Sequence, residues 1–225
     1  YYANCSWLDA YFGQVLDKLQ KLGRLDNALI VFTSDHGEML GERNYRFSKY
    51  CLFDSSVRVP LILAGSLIPE AKRGTIDDRP AEHIDLVPTL LRAAGKRVNP
   101  VLPGLDLLGE QRRLASFSEF HGGVSGPPRL GPDYMWRKQD WKLILFMPGL
   151  LDDAVAKHIS AKGELYHLTD DPYEWNNLYH DEKHAAIREQ MKTELLAYLA
   201  CTAARGPVFG ERPRLPMPEG KAPPK

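Results

Sequence analysis

The sequence predicts an α/β protein: part of a doubly wound, mostly parallel sheet, followed by a small α+β subdomain with an antiparallel sheet and a C-terminal helix. Two unbroken apolar runs, residues 28–32 and 61–64, indicate strands that are buried on both faces, as in a parallel sheet covered by helices. Short apolar segments after residue 109 predict the antiparallel sheet. A final stretch with apolar residues four apart predicts the helix that covers it.

Composition excludes several classes of partner. The chain has 225 residues, a formal net charge of zero and a pI of about 7.2, which gives no support for a nucleic acid or an anionic membrane as partner. No stretch approaches the ~18 consecutive apolar residues of a membrane span. Residue 1 already lies in a helical pattern, so no signal peptide is expected. Three cysteines do not predict a disulfide framework, and they leave the compartment open.

Residues 1–108 are expected to form part of the α/β domain. A helix that Gly23 ends leads into the first strand, and its apolar residues recur at helical spacing: Leu8, Tyr11, Phe12, Val15, Leu16, Leu19 and Leu22. A lone helix is an unusual start for a doubly wound domain, so we expect the chain to be a cut piece. After the second strand, Asp85 caps a helix that tolerates Pro88 in its first turn and ends at Gly95. Residues 100–108 form a turn and a short linker.

Residues 109–201 are expected to form the subdomain. Segments 114–120, 141–146 and 164–168 predict three short strands, with a polar turn at 137–140 and a Gly- and Pro-rich loop at 122–132. The last helix, 183–200, should pack on this sheet through four residues on one face: Ile187, Met191, Leu195 and Leu199. Residues 202–225 are rich in Pro, Gly, Arg and Lys, and we expect them to be a largely disordered tail.

The polar residues after the first apolar run are the candidate functional site. Asp35, His36 and Gly37 stand where the strand ends, and ligands of open α/β sheets bind at the carboxyl ends of strands. A carboxylate beside an imidazole suits a divalent cation, and the glycine lets the backbone come close. The alternative is that Asp35 caps a helix and His36 is a surface residue.

A longer pattern resembles the sulfatase family of the alkaline phosphatase superfamily. It comprises residues 35–38 (DHGE), 40–42 (LGE), Lys49 and 56–62 (SVRVPLI), in that order. Further matching segments, at 83–91, 142–144, 164–166 and 171–178, extend the resemblance over roughly residues 1–200. The family often has His at the position of Arg43, and its lysine commonly lies one or two residues nearer the Asp-His pair.

The resemblance implies a sulfuric ester hydrolase. Asp35 and His36 would be metal ligands, and Lys49 would contact the sulfate and the metal-bound oxygens. The ion would be a single Ca²⁺, with Mg²⁺ possible in the family, whereas ligand softness alone favours Zn²⁺ or Mn²⁺ at a site with His. The substrate would be a glycan, aryl or small-alcohol sulfate, and the location periplasmic, secreted or lysosome-like.

The nucleophile of sulfatases is a formylglycine made from Cys in a Cys-x-(Pro or Ala)-x-Arg motif, which precedes the Asp-His pair. Cys5 and Cys51 do not fit this motif. Residues 201–205 fit its loose form but follow the last helix, and we interpret that match as coincidence. The chain is therefore interpreted as the C-terminal portion of a sulfatase, and its partner would be the N-terminal half of the same enzyme, which carries the formylglycine.

Other interpretations stay open at this point. A phosphodiesterase or phosphonate monoester hydrolase of the same superfamily would use nearly the same residues, and a non-catalytic module could retain the fold. His121, in a loop before two glycines, is a candidate substrate-binding residue. His83 and Asp85 form either an acid-base pair or, as we favour, a structural element. The tryptophans Trp136, Trp141 and Trp175 either stack on sugars or, as we favour, pack in the interior.

Overall fold

The computed structural model describes residues 1–121, 132–147 and 162–203. Within these residues the helices are α1 (Tyr2–Lys21), α2 (Glu42–Tyr45), α3 (Asp54–Val57), α4 (Leu86–Ala93) and α5 (Ala185–Ala203). The strands are β1 (Ile30–Thr33), β2 (Leu61–Ala64), β3 (Ser116–Phe120), β4 (Asp133–Lys138), β5 (Trp141–Phe146) and β6 (Lys162–His167). Most of the predicted loop 122–132 and of the predicted tail 202–225 lies outside the described residues, and α5 extends two residues into that tail. None of the described helices is long and apolar enough to cross a membrane.

The two apolar runs form an antiparallel pair. Ile30 lies opposite Ala64 and Thr33 lies opposite Leu61, so the parallel arrangement expected for these two strands is wrong. A continuous apolar run carries no information on strand direction. The predicted burial on both faces is also wrong for these residues, since β1 is only half-buried and Ile62 of β2 is 55% exposed. A parallel pair needs a long crossover, usually a helix, whereas residues 34–60 contain only the single-turn segments α2 and α3. Helix α1 contacts β1 through the rings of Phe12 and Phe32, which are 5.3 Å apart, but no residue of α1 is buried.

The predicted helices of the first part are present. Helix α1 ends at Lys21 and is followed by Gly23 in the left-handed conformation, with φ of 62°. That conformation satisfies the last carbonyls of a helix and favours glycine. Helix α4 begins directly after Asp85 and contains Pro88 in its first turn. The Gly23 cap is confirmed, whereas Asp85 does not cap α4: a helical turn, His83–Asp85, precedes this helix, and Glu82 forms the capping box with Asp85 at its start.

The second part contains a four-stranded antiparallel sheet in the order β3–β4–β5–β6. Strand β4 is missing from the sequence prediction, which placed a turn at 137–140. The observed turn is only Gln139 and Asp140, and Gln139 has φ of 52°. Such left-handed residues match the twist of a two-residue hairpin. The strand was missed because its sequence, DYMWRK, lacks a clean alternation of polar and apolar residues.

The sheet is buried on both faces. Leu143 and Leu145 of β5 pack with Met191 and Leu195 of α5, and both of these helix residues are 0% exposed. This confirms the predicted helix-on-sheet packing. The alternate residue Ile144 faces the other way and packs against segment 39–53 of the first part, through Met39, Leu52 and Phe53. The small sheet therefore lies directly behind the segment that follows the Asp-His pair.

Candidate active site

Asp35 and His36 lie just beyond the end of β1, which finishes at Thr33. Their side chains converge as predicted, since Asp35 Oδ2 and His36 Nε2 are 3.4 Å apart. Asp35 Oδ1 accepts a 3.0 Å hydrogen bond from the His36 backbone N–H. That hydrogen bond is the main cause that lowers the pKa of Asp35, a fully exposed carboxyl group, so the group is ionised near neutral pH.

The His36 ring is oriented by its own turn. Its Nδ1 lies 2.8 Å from the Gly37 carbonyl oxygen, and because a carbonyl only accepts, Nδ1 carries the proton. In the neutral ring the lone pair is then on Nε2, which faces Asp35. Two ligands that each lie about 2.0–2.6 Å from one ion are about 3–4 Å from each other, so the spacing of these two acceptors fits a shared cation.

The pair is only part of a metal site. Among residues 1–121, 132–147 and 162–203, no group of three or more His, Cys, Asp and Glu side chains is placed to hold a metal ion. A divalent ion has four or more ligands in protein sites. Asp35 and His36 therefore fit a divalent cation as two members of a larger ligand set.

The turn that carries this pair is docked on helix α3. The Gly37 amide donates a 2.7 Å hydrogen bond to the carbonyl of Ser56. A Cβ at position 37 would collide with the backbone carbonyl of Ser55, so this close approach requires glycine. The same helix residue also reaches Lys49, because Ser56 Oγ donates a 2.7 Å hydrogen bond to the Lys49 carbonyl. One helical turn thus holds the backbone at both predicted site positions.

The side chain of Lys49 is exposed. Its ammonium makes no ion pair with any carboxylate of the described residues, so its charge is available to an anion. Arg43, at the position where the family often has His, is used differently. It donates to the Glu174 carbonyl, and its guanidinium carbon lies 3.9 Å from the centroid of the Phe53 ring. Arg43 therefore joins the site segment to the small subdomain.

His83 and Asp85 do not form an acid-base pair. His83 Nε2 lies 2.8 Å from the Ser34 carbonyl, next to the Asp-His turn. Asp85 is 1% exposed, pairs with Arg113 and accepts a 2.7 Å hydrogen bond from the Leu105 amide. The structural interpretation of both residues holds, and His83 helps to fix the start of the turn.

The remaining sequence candidates have separate surroundings. His121 is exposed, and its Nε2 lies 3.3 Å from Glu119 Oε2; no described contact joins it to Asp35, His36 or Lys49. Trp136 is buried and Trp141 is half-buried, as expected, whereas Trp175 is 53% exposed. Trp175 lines a cleft of about 430 Å³ together with residues that include Arg43, Arg46, Asp133 and Glu164.

Sequence reasoning missed a buried ionic network behind the site. Lys142 is 0% exposed, and its Nζ lies 2.8 Å from Asp54 Oδ1 and 2.7 Å from Glu174 Oε1. Arg137 Nη1 lies 3.1 Å from Asp54 Oδ2. A signal for this network was present, because a lysine inside the apolar strand WKLILF needs a buried carboxylate partner.

The pKa values of the two carboxyl groups in this network, Glu174 and Asp54, are shifted in opposite directions. Burial raises the pKa of Glu174, and the nearby Lys142 opposes that rise without cancelling it. Burial also acts to raise the pKa of Asp54, but Lys142 and then Arg137 outweigh it and lower the pKa overall. Asp54 is thus the more strongly ionised partner of Lys142.

Comparisons with known proteins agree with this fold. Residues 1–96 match the family model described as Sulfatase. The chain is 30% identical over 202 residues to an uncharacterized sulfatase, YidJ, of Escherichia coli (88% of this chain, 37% of that protein). It is 34% identical over 185 residues to the choline-sulfatase of Rhizobium meliloti (79% and 32%). It also superposes on the phosphonate monoester hydrolase of Agrobacterium radiobacter with a TM-score of 0.72 and 27% identity (86% and 39%).

The fold is that of the alkaline-phosphatase-like α/β proteins, with antiparallel sheets and a C-terminal helix. The sulfatase family match lies in residues 1–96, and the chain aligns with the C-terminal part of its sulfatase relatives. It spans about a third of the length of the curated relatives named above. Sulfatases generally use a divalent metal, and among the described residues the spacing of Asp35 and His36 fits two ligands of such an ion.

Proposed function

We propose that the complete protein is a sulfuric ester hydrolase. The observation that carries this proposal is the attachment of the Asp35-His36 turn and of Lys49 to one residue of α3, Ser56. Cleavage of a sulfate ester requires that charge on the sulfate oxygens be neutralised while the leaving oxygen departs. Two ligands for a cation and a free ammonium, held on one short helix, are suited to that task.

In this proposal each residue has a distinct role. Asp35 and His36 hold a divalent cation, which we propose to be Ca²⁺, with Mg²⁺, Mn²⁺ and Zn²⁺ as alternatives. When bound, that cation would supply positive charge next to the sulfate oxygens. The Gly37 carbonyl keeps the His36 proton on Nδ1. Lys49 contributes its ammonium to the sulfate, and His121 is retained as a weaker candidate for substrate contact.

The nucleophile and the remaining ligands are proposed to come from outside this chain. We expect a formylglycine in the N-terminal half of the same enzyme, and neither Cys5 nor Cys51 has the residues around it that such a motif requires. Cys201 lies in α5, which packs on the sheet face opposite to segment 39–53. That position supports the interpretation of the Cys201 match as coincidence.

A second function, hydrolysis of phosphonate monoesters or phosphodiesters, is favoured by one observation. A phosphonate monoester hydrolase shares this fold at 27% identity. Sulfate and phosphonate monoesters both present a tetrahedral group with anionic oxygens, so the residues described here would serve either. The sulfatase assignment is preferred because the curated relatives include a choline-sulfatase at 34% identity.

The experiment that tests the proposal uses the complete protein, produced with its maturation enzyme. Hydrolysis of an aryl sulfate is compared with hydrolysis of the matching aryl phosphonate and phosphodiester, each with and without added Ca²⁺. We expect the sulfate to be the preferred substrate and Asp35→Asn to remove the response to the metal. Preference for the phosphonate would move the assignment to the second function. If none of the three esters is hydrolysed and the protein binds no metal, the protein is a non-catalytic module.

A further inference from the structure

The buried pair of Lys142 and Glu174 belongs to the small subdomain, but it contacts the segment that holds the candidate site. Lys142 lies in β5, and Glu174 lies in the turn that follows β6. Both reach Asp54, the first residue of α3. Lys142 Nζ lies 2.8 Å from Asp54 Oδ1, and Glu174 Oε2 accepts a 2.7 Å hydrogen bond from the Asp54 backbone amide. The subdomain therefore binds both the side chain and the backbone of the residue where α3 begins.

Glu174 makes a second contact with the site segment. Its carbonyl accepts a hydrogen bond from Arg43 Nη1. Arg43 and Asn44 are both left-handed, with φ of 53° and 65°, a conformation that costs free energy in residues other than glycine. A surrounding structure must hold such a turn in place. Glu174 thus binds residues 43 and 54, on both sides of Lys49.

Helix α3 carries these contacts on to the site. Two residues beyond Asp54, the Ser56 carbonyl accepts from the Gly37 amide, and the Ser56 hydroxyl donates to the Lys49 carbonyl, both at 2.7 Å. The helix is a single turn long, so a shift at its first residue moves Ser56 with it. The backbone of α3 therefore connects the hydrogen bonds that Lys142 and Glu174 make to Asp54 with those that Ser56 makes to the Asp-His turn and to Lys49.

The ionic contacts of Lys142 and Glu174 are directional, which apolar contacts at the same place would not be. Hydrophobic packing is non-directional, whereas charge-assisted hydrogen bonds are short and directional. A buried ion pair contributes little net stability compared with an apolar pair of similar volume, and its best-attested use is to fix one register. Lys142 is 0% exposed and Glu174 is 2% exposed. The buried pair of Lys142 and Glu174 is therefore better suited to fix the position of α3 than to add stability.

We propose that Lys142 and Glu174 are positioning residues of the active site. They fix α3 from the small sheet and thereby set the placement of the Asp35-His36 turn relative to Lys49. The catalytic consequence rests on the proposed sulfatase function, whereas the alignment of α3 is a property of this chain by itself.

The test compares Glu174→Gln with a control variant, Glu194→Gln. Glu194 is also a carboxylate paired with a lysine of the small sheet, with Lys138 Nζ 2.6 Å from its Oε1, but it lies on α5 at the other face. Hydrogen exchange is measured for peptides that cover residues 35–57, and kcat and KM are measured for the complete protein with an aryl sulfate. We expect Glu174→Gln to speed exchange in 35–57 and to lower kcat about 10- to 100-fold, with KM changed less than about threefold. Glu194→Gln should leave both readouts within about twofold of the parent.

A double variant separates alignment from stability. Replacing Lys142 and Glu174 together by Met removes the directional contacts but keeps the volume apolar. Because Asp54 then keeps only Arg137 as an ionic partner, kcat is measured at a temperature at which unfolding curves show the variant to be fully folded. Loss of kcat in the fully folded double variant supports positioning. Unchanged exchange in 35–57 for both variants, or full kcat in a stably folded double variant, overturns it. If the parent protein hydrolyses no ester but Glu174→Gln still speeds exchange in 35–57, the proposed function fails and the alignment stands.

Discussion

The Gly37 amide donates a 2.7 Å hydrogen bond to the Ser56 carbonyl, which joins the end of the first strand to a helix that begins 17 residues further along the chain, at Asp54. The contact is close enough that a side chain at position 37 would collide with the neighbouring Ser55 carbonyl. The position of the Asp-His pair therefore depends on a glycine that coordinates nothing itself.

Gly37→Ala should destabilise the protein. The added methyl group must displace backbone at Ser55, and such overpacking costs about 1–3 kcal/mol. Gly13→Ala is the matched control, because Gly13 lies within α1 and a Cβ there meets nothing within 4 Å. Alanine is the better helix former, so the control should gain about 0.5–1 kcal/mol. Urea unfolding of both variants checks the opposite signs, and equal effects would contradict the docking of the turn.

Asp54→Asn should change how stability depends on pH. The pKa of Asp54 is lowered in the folded protein, so its ionised form contributes stability that is present above its ordinary value of 3.8 and is lost as the pH falls through the folded pKa. Breaking a buried ion pair costs about 3–5 kcal/mol. We therefore expect a difference of that order between parent and variant at pH 6, shrinking toward pH 3. Denaturant unfolding at both pH values measures it, and a constant difference would argue against ionisation of Asp54 as the cause.

Met191→Ala should destabilise the small subdomain. Met191 is 0% exposed between α5 and the sheet, and truncation of such a residue leaves a cavity that costs about 2–5 kcal/mol. Leu196 lies on the same helix but is 48% exposed, so Leu196→Ala should change the free energy of unfolding by less than about 0.5 kcal/mol. Similar losses for both variants in thermal unfolding would mean that α5 is not seated as described.

Much of this arrangement was readable from the sequence, for identifiable reasons. The four-residue spacing of Ile187, Met191 and Leu195 predicted the face of α5, because that helix has one sheet to cover. The strand end before Asp35 predicted that its side chain would meet that of His36, and the 3.4 Å separation confirms it. Their role as metal ligands stays a prediction.

Other features depend on contacts that no local pattern encodes. The direction of β2 relative to β1 is set by how residues 34–60 fold back, so the parallel expectation for this pair was wrong. Strand β4 is held by neighbours on both sides more than by its own sequence. The sequence showed only that Lys142 needs a carboxylate partner. It could not show which one, because Asp54 lies 88 residues before Lys142 and Glu174 lies in the turn beyond β6.

Lys49→Ala should lower turnover of the complete protein steeply and affect KM less. A lysine that meets charge developing on the sulfate in the transition state contributes to rate more than to binding. Because its side chain is exposed, the substitution should leave the free energy of unfolding within about 0.5 kcal/mol of the parent. Lys49→Arg should restore only part of the rate, since a planar guanidinium does not replace a compact ammonium. Lys18→Ala, an exposed change in the last turn of α1, is the control that should keep full activity. Full kcat in Lys49→Ala, with aryl sulfate as substrate, would remove Lys49 from the active site.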